Sequence, residues 1–292
     1  MWRHVLVCVL LVLALPASAG TTNTVPFAGV RHVAYTQSGP YPLAWHLVII
    51  DRDAAGIRFT VTEPNGDAPA DTDRESTKDF AARTGVQVAV NASFFAADDG
   101  AHADVLSLAA AAGTPYSPWN KQLPAGVNIA KDNTVTFVTP ASPNPTGFDC
   151  MPPVTLHNAV AGNEWLVRGG QSIAPVSEVR HPRTAIGLHE EGELLLLVVD
   201  GRHGAHSRGA TYQELAEILV AHGAKTAINL DGGGSSTLVF ADPEPRVVNV
   251  PMPFSAPARV PVPRGGITRP VGNNLGVYAA AVVDADCTSA DD

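Results

Sequence analysis

Cysteine is nearly absent, with three in 292 residues, so a disulfide-dense scaffold is excluded. Positive charge is also short: 19 Lys and Arg stand against 28 Asp and Glu, for a formal net charge of −9. General nucleic-acid binding is therefore not expected, because phosphate contacts need a basic surface, and any anionic ligand must be met locally. Beyond the first twenty residues the tryptophans are Trp45, Trp119 and Trp165. They are too dispersed to form the exposed aromatic platforms of a glycan-binding module, and core positions are expected for them. GGGSS lacks the G-x-S-x-G elbow and no histidine follows His222, which argues against a serine hydrolase built on Ser235.

What is present begins with MWRHVLVCVLLVLALPASAG. Arg3, an apolar run from Val5 to Leu15 and the small residues Ala17-Ser18-Ala19 make the pattern of a secretory signal peptide cleaved after Ala19. The run is about half the ~20 residues that span a bilayer, and no later run is long enough. Export to the medium or cell envelope is expected, with no stable membrane insertion. Residues 20–292 then form a single domain. Cleavage removes Cys8, leaving Cys150 and Cys287 as a candidate disulfide in an oxidising compartment.

The sequence predicts two short strands in HLVIIDRDAAGIRFTVTEP around a turn at Asp53–Gly56, and a helix over 76–85 opened by Ser76 or Thr77 and stopped by Gly85. A buried strand ending at Asn91 follows. The small-residue segment from Ala96 to Pro124 reads as a surface excursion or a lid. Thr211-Tyr-Gln-Glu214 is a capping box opening a helix whose apolar face is Leu215, Ile218 and Leu219, with Gly223 as its stop. Together 193–232 reads as strand, helix, strand, within an α+β fold on a mixed sheet. The two strands are expected to run parallel, which brings Asp200 and Asp231 to one sheet edge. Gly85-x-x-x-Ala-Val-Asn91 echoes Gly223-x-x-x-Ala-Ile-Asn229 and suggests that Asn91 reaches that edge too.

AINLDGGGSSTLVF spends three glycines directly after an acid. Such a run serves either a tight turn at positive φ or a backbone brought close to a ligand. HPRTAIGL (181–188), LLLLVVDGR (194–202), GATYQELAEIL (209–219), AINLDGGGSSTLV (227–239), RPVGNNLGVYA (269–279) and the earlier NASFF (91–95) together resemble the successive motifs of the phosphodiester glycosidase family, over roughly residues 80–280.

That resemblance implies hydrolysis of a sugar-1-phosphodiester at the sugar C1–O bond, without a cofactor or metal. N-acetylglucosamine is the sugar in the best-known members, and exported bacterial members are associated with exopolysaccharides. It implies Asp231 and Asp200 as the carboxylate pair, and Arg183 as a guanidinium gripping phosphate. Asn91 falls in a family motif. Gly232, Gly233 and Gly234 are expected to form an anion-binding nest, with the Ser235 and Ser236 hydroxyls as further donors. The alternatives are a metal-dependent phosphodiesterase drawing on His181, His203, His206, Asp200 and Asp231, and a non-catalytic envelope glycan-binding module.

Overall fold

The computed structural model describes residues 18–98, 100–142, 148, 151–252 and 268–282. Residues 1–17 of the expected leader, and Cys150 and Cys287 with their expected disulfide, lie outside the described residues. An eight-stranded sheet runs in the order β1 (Ala19–Phe27), β2 (Val30–Gln37), β3 (Leu43–Ile50), β17 (Leu194–Val199), β16 (Arg183–His189), β18 (Ala224–Asn229), β14 (Glu164–Arg168) and β15 (Gln171–Ser172). A five-stranded sheet packs face to face with it: β20 (Pro245–Val247), β19 (Leu238–Ala241), β6 (Val88–Asn91), β21 (Asn274–Tyr278) and β4 (Arg58–Val61). A second five-stranded sheet adds side chains to the same core: β10 (Thr114–Ser117), β9 (Ala109–Ala111), β13 (Asn158–Gly162), β11 (Ala125–Ile129) and β12 (Val135–Val138). The fourth is a small ribbon of β5 (Thr72–Asp73), β8 (His102–Val105) and β7 (Phe95–Ala97).

The unbroken apolar run of β17 follows from its central place. Leu194, Leu196 and Val198 enter the core between the sheets, while Leu195, Leu197 and Val199 lie on the opposite face beneath helix α2 (Tyr212–Ala221). Side chains of a strand alternate between faces, so a strand covered on both sides needs no polar positions. Each side chain so buried contributes about 2 kcal/mol of hydrophobic stabilisation. Helix α2 starts as the capping box predicts: Glu214 N–H donates to Thr211 Oγ1 at 3.2 Å, and Thr211 N–H donates to Glu214 Oε2 at 2.9 Å. Helix α1 (Thr77–Thr84) is capped by Ser76 and stopped by Gly85 at φ 74°; its Phe80 and Ala81 cover the outer face of the second sheet.

Two expectations are corrected. Among the described residues every named strand pairing is antiparallel, so the sheets are not mixed. Strands β17 and β18 do point the same way, but each pairs with β16, which lies between them. β16 and β17 form a hairpin, and the chain then crosses by way of α2 to the other side of β16. The described part of segment 96–124 is not a surface excursion throughout: its ends and the turn at 112–115 are exposed, but its middle is built into the sheets. It supplies β8 to β10, with Ala103, Val105, Leu108, Ala109, Ala110 and Trp119 buried. The other tryptophans are placed by the same core: Trp45 is 6% exposed and Trp165 packs against the central cluster.

The tightest seam is at Gly162, the last residue of β13. A Cβ built there stands 1.8 Å from the carbonyl oxygen of Asn229. Gly162→Ala is therefore expected to lower folding stability by roughly 2 kcal/mol or more, read as a drop in Tm. A melting curve matching the parent protein would contradict the packing of β13 onto the end of β18.

Candidate active site

The antiparallel order sets the site. Strands β17 and β18 end where β16 begins, so Asp200, Asp231 and Arg183 reach one sheet edge, and Asn91 arrives from the facing sheet. Leu230 N–H donates to Thr184 O at 2.8 Å and Asp231 N–H to Ala92 O at 2.9 Å, stitching the turn to both sheets. Asn91 is wholly buried. Its Nδ2 donates to Asp231 O at 2.7 Å, and its Oδ1 accepts from Thr184 Oγ1 at 2.7 Å and from Thr237 N–H at 3.2 Å. Asn91 thus reaches the expected edge, but as an internal brace. Its echo, Asn229, uses Nδ2 on Asn163 Oδ1 at 2.8 Å and on Leu230 O at 2.7 Å. The Oδ1 of Asn229 is buried without a protein partner among the described residues, on a side chain that borders the pocket.

The three glycines serve the turn itself. Gly232 N–H donates to the carboxylate of Asp231 at 2.9 Å and Gly233 N–H to Pro182 O at 2.8 Å, so two of the three expected nest donors are already used. The close approach is of backbone to backbone: a Cβ on Gly232 would lie 2.8 Å from Pro182 O. Gly233 has φ +63°, where only glycine is unstrained, and opens a short 3₁₀ turn, Gly233–Ser235. Ser235 and Ser236 are buried beneath it. Ser235 Oγ accepts from Arg269 Nη1 at 3.2 Å and is also bonded to Asp231. Ser236 Oγ has no partner among the described residues, and neither serine lines the pocket.

Above this turn is an open cavity of about 260 Å³ bordered by Asp231, the three glycines and three arginines. Burial pushes the Asp231 carboxyl up to about 6, against the opposing pull of Ser235, Arg269 and Gly232 N–H. Arg183 is 6% exposed. Its Nε and Nη2 hold the carbonyls of Ala210 and Val179 at 3.2 and 3.4 Å, and its guanidinium lies 4.0 Å from the ring centroid of Tyr212. Arg269 is half-buried and lies over Phe95. Arg202 is exposed at the rim, with Nη2 3.0 Å from His181 Nδ1. A guanidinium only donates, so His181 accepts through Nδ1 and carries its proton on Nε2. Burial, then Arg202 and Arg183, depress its basicity accordingly.

Asp200 shares the edge but not the pocket. It is 1% exposed; Oδ1 accepts from Asn249 Nδ2 at 2.9 Å and Val250 N–H at 3.0 Å, and Oδ2 meets His206 Nε2 at 2.8 Å. The expected pairing of Asp200 with Asp231 across a substrate therefore has no geometric support: Asp200 holds two loops together. The histidines weighed as metal ligands are divided, His206 on Asp200 and His181 on a cationic guanidinium. The set of three ligand-type side chains whose atoms converge among the described residues is His189, Glu191 and Glu193, at the opposite end of β16 from Arg183.

Sequence reasoning missed Arg202, Arg269, Tyr212, Asn229 and Phe94, all of which border the pocket. Each lies within or beside a motif already singled out. Arg202 directly follows Asp200-Gly201 at the end of β17, where a charged residue beside a glycine at a strand end was detectable, and Arg269 opens the motif RPVGNN.

A family model described as phosphodiester glycosidase matches residues 84–278. The chain is 31% identical over 201 residues to the Bos taurus N-acetylglucosamine-1-phosphodiester alpha-N-acetylglucosaminidase, covering 62% of this chain and 36% of that protein. It thus spans about a third of that relative's length. The fold is similar to the zebrafish N-acetylglucosamine-1-phosphodiester alpha-N-acetylglucosaminidase catalytic domain, with TM-score 0.64 and 20% identity over 90% of this chain and 88% of that one. It is also similar to a Burkholderia pseudomallei protein, with TM-score 0.68 and 12% identity over 95% and 100%. No helix among the described residues is long and apolar enough to cross a membrane.

The raised Asp231 pKa has a stability consequence. Because the folded value of about 6 exceeds the ordinary 3.8, the neutral acid is favoured in the fold. Its contribution is complete below pH 3.8 and is lost as pH rises through about 6. Asp231→Asn, neutral throughout, is expected to be more stable than the parent at pH 7.5 by up to about 3 kcal/mol, with the difference vanishing near pH 4. Equal Tm values at pH 7.5 would contradict a desolvated carboxylate at this position.

Proposed function

Because this chain belongs to the phosphodiester glycosidase family, we propose that it hydrolyses the C1–O bond of a sugar 1-phosphodiester, releasing free sugar and a phosphomonoester. N-acetylglucosamine is the sugar proposed, by analogy with the names of its relatives. An exported setting, with a phosphorylated glycan as substrate, completes the reading. The observation that carries it is a carboxylate with its pKa pushed up to about 6, set among three arginines in one cavity.

The chemistry follows from the charges. Arg183 and Arg269 hold the diester phosphate, Arg183 as a fixed cation because its Nε and Nη2 are bonded to Ala210 and Val179 and its face lies over Tyr212. A phosphomonoester has its second pKa near ~6, so the phosphate leaves as an anion without needing a strong acid. Above pH 6, Asp231 is ionised. It takes a proton from the attacking water as that oxygen bonds to C1, and the C1–O electron pair departs with the phosphate. The negative Asp231 also stabilises the oxocarbenium character that develops at C1. The buried Asp200 keeps the loop beside the pocket in place and takes no proton in this scheme.

On the methyl diester of N-acetylglucosamine 1-phosphate, the products are expected to be free N-acetylglucosamine and methyl phosphate, and kcat/KM should fall with acid through about pH 6 as Asp231 is protonated. Asp231→Asn is expected to lower kcat at least about 100-fold while keeping the fold. Near-parent kcat in a folded Asp231→Asn variant would remove this carboxylate from the mechanism. Release of N-acetylglucosamine 1-phosphate and methanol would identify a phosphodiesterase instead.

A further inference from the structure

The pocket holds more positive charge than a simple phosphodiester needs. A diester phosphate carries one negative charge on two non-bridging oxygens, and Arg183 and Arg269, the deeper pair, are enough to meet it. Arg202 is the third. It stands at the rim, and its backbone is held at φ +61°, a region that non-glycine residues enter only when the surroundings enforce it. Two flanking contacts fix its head: Nη2 meets His181 Nδ1 at 3.0 Å, and Nη1 lies 3.9 Å from Met252 Sδ. The guanidinium sits over Gly233, where an added Cβ would come within 3.4 Å of it. Beneath, Asp200 ties the start of this loop to Asn249 and Val250, three and two residues before Met252. An exposed arginine with no task would be free to extend into water; this one is held across the pocket mouth.

Resting on the glycosidase reading, we propose that Arg202, with the Nε2–H of its neighbour His181, recognises a second anionic group on the substrate, carried by the alcohol beyond the phosphate. The assignment to that side follows from depth: the carboxylate that acts on C1 is in the turn at the pocket floor, and Arg202 is on the outer rim. The class of substrate is therefore a sugar 1-phosphodiester whose leaving alcohol bears a carboxylate or a further phosphate. Opposite charges near a partly desolvated rim favour binding and raise the on-rate, and added salt weakens both.

The test compares three diesters of N-acetylglucosamine 1-phosphate, with methanol, 3-hydroxypropionate or 2-hydroxyethyl phosphate as the alcohol. The parent protein is expected to prefer one or both anionic alcohols over methyl by about tenfold in kcat/KM, about 1.4 kcal/mol, and the two anionic arms tell carboxylate from phosphate recognition. The preference should shrink with salt. Arg202→Gln should bring the ratio close to one and Arg202→Lys should retain part of it, with melting curves confirming that both fold. Equal kcat/KM on all three diesters in the parent protein would overturn the proposal. So would a preference that survives in folded Arg202→Gln, or a loss of kcat in that variant that is the same on all three, which would assign Arg202 to the departing phosphate. Failure to cleave any of the three would overturn the glycosidase reading and this proposal with it.

Discussion

The side-chain amide of Asn91 joins the two main sheets at the point where the reactive turn leaves them. It donates to Asp231 O and accepts from Thr184 and Thr237, so one buried group fixes residues from β6, β16, the loop before β19 and the turn itself. Breaking it would leave several polar atoms unsatisfied in a buried seam, where each costs about 1–3 kcal/mol. With the backbone of Asp231 fixed in this way, the direction of its carboxylate is set by the short Gly232–Ser235 turn. Gly232 is needed because Pro182 O leaves no room for a Cβ, and Gly233 because its φ of +63° favours glycine.

Two aspartates at the same edge have opposite roles because of their surroundings. Asp200 meets three partners, Asn249, Val250 and His206, which occupy both of its oxygens and make it a structural tie. Asp231 is half-buried at the pocket with fewer compensating bonds, and desolvation weakens its acidity. At Asp231 desolvation outweighs the opposing hydrogen bonds and Arg269. This contrast also explains how an acidic chain presents a positive pocket: three guanidiniums converge where the neighbouring carboxylates are either consumed internally or desolvated.

The elements with strong local signals were legible in the sequence. Both helices begin and end as their caps dictate, the apolar run of β17 is a buried strand, and the DGGGSS turn lies at the pocket floor. Long-range placement was not legible. Strand β16 pairs with both β17 and β18, and no local pattern in HPRTAIGL states which strands it separates; the mixed-sheet expectation failed there. The alanine-rich stretch after NASFF carried little periodicity, yet its middle packs into sheets with Ala103, Leu108, Ala109 and Ala110 fully buried. Strand-end logic brought Asp200 and Asp231 to the same edge, but burial separated their roles, and burial is a property of the whole fold. The glycine N–H groups were read as ligand donors because their partners, Pro182 O and the Asp231 carboxylate, are contacts that only the folded turn brings together.

The central claim is that the bond broken is C1–O, with water delivered to the sugar by Asp231. Hydrolysis of a sugar 1-phosphodiester in ¹⁸O-labelled water tests it directly, with the products analysed early enough that exchange of the free sugar's anomeric oxygen is corrected by a control. The account predicts label in the released sugar and none in the phosphomonoester. Label in a phosphate product would mean that water attacks phosphorus and would contradict the account.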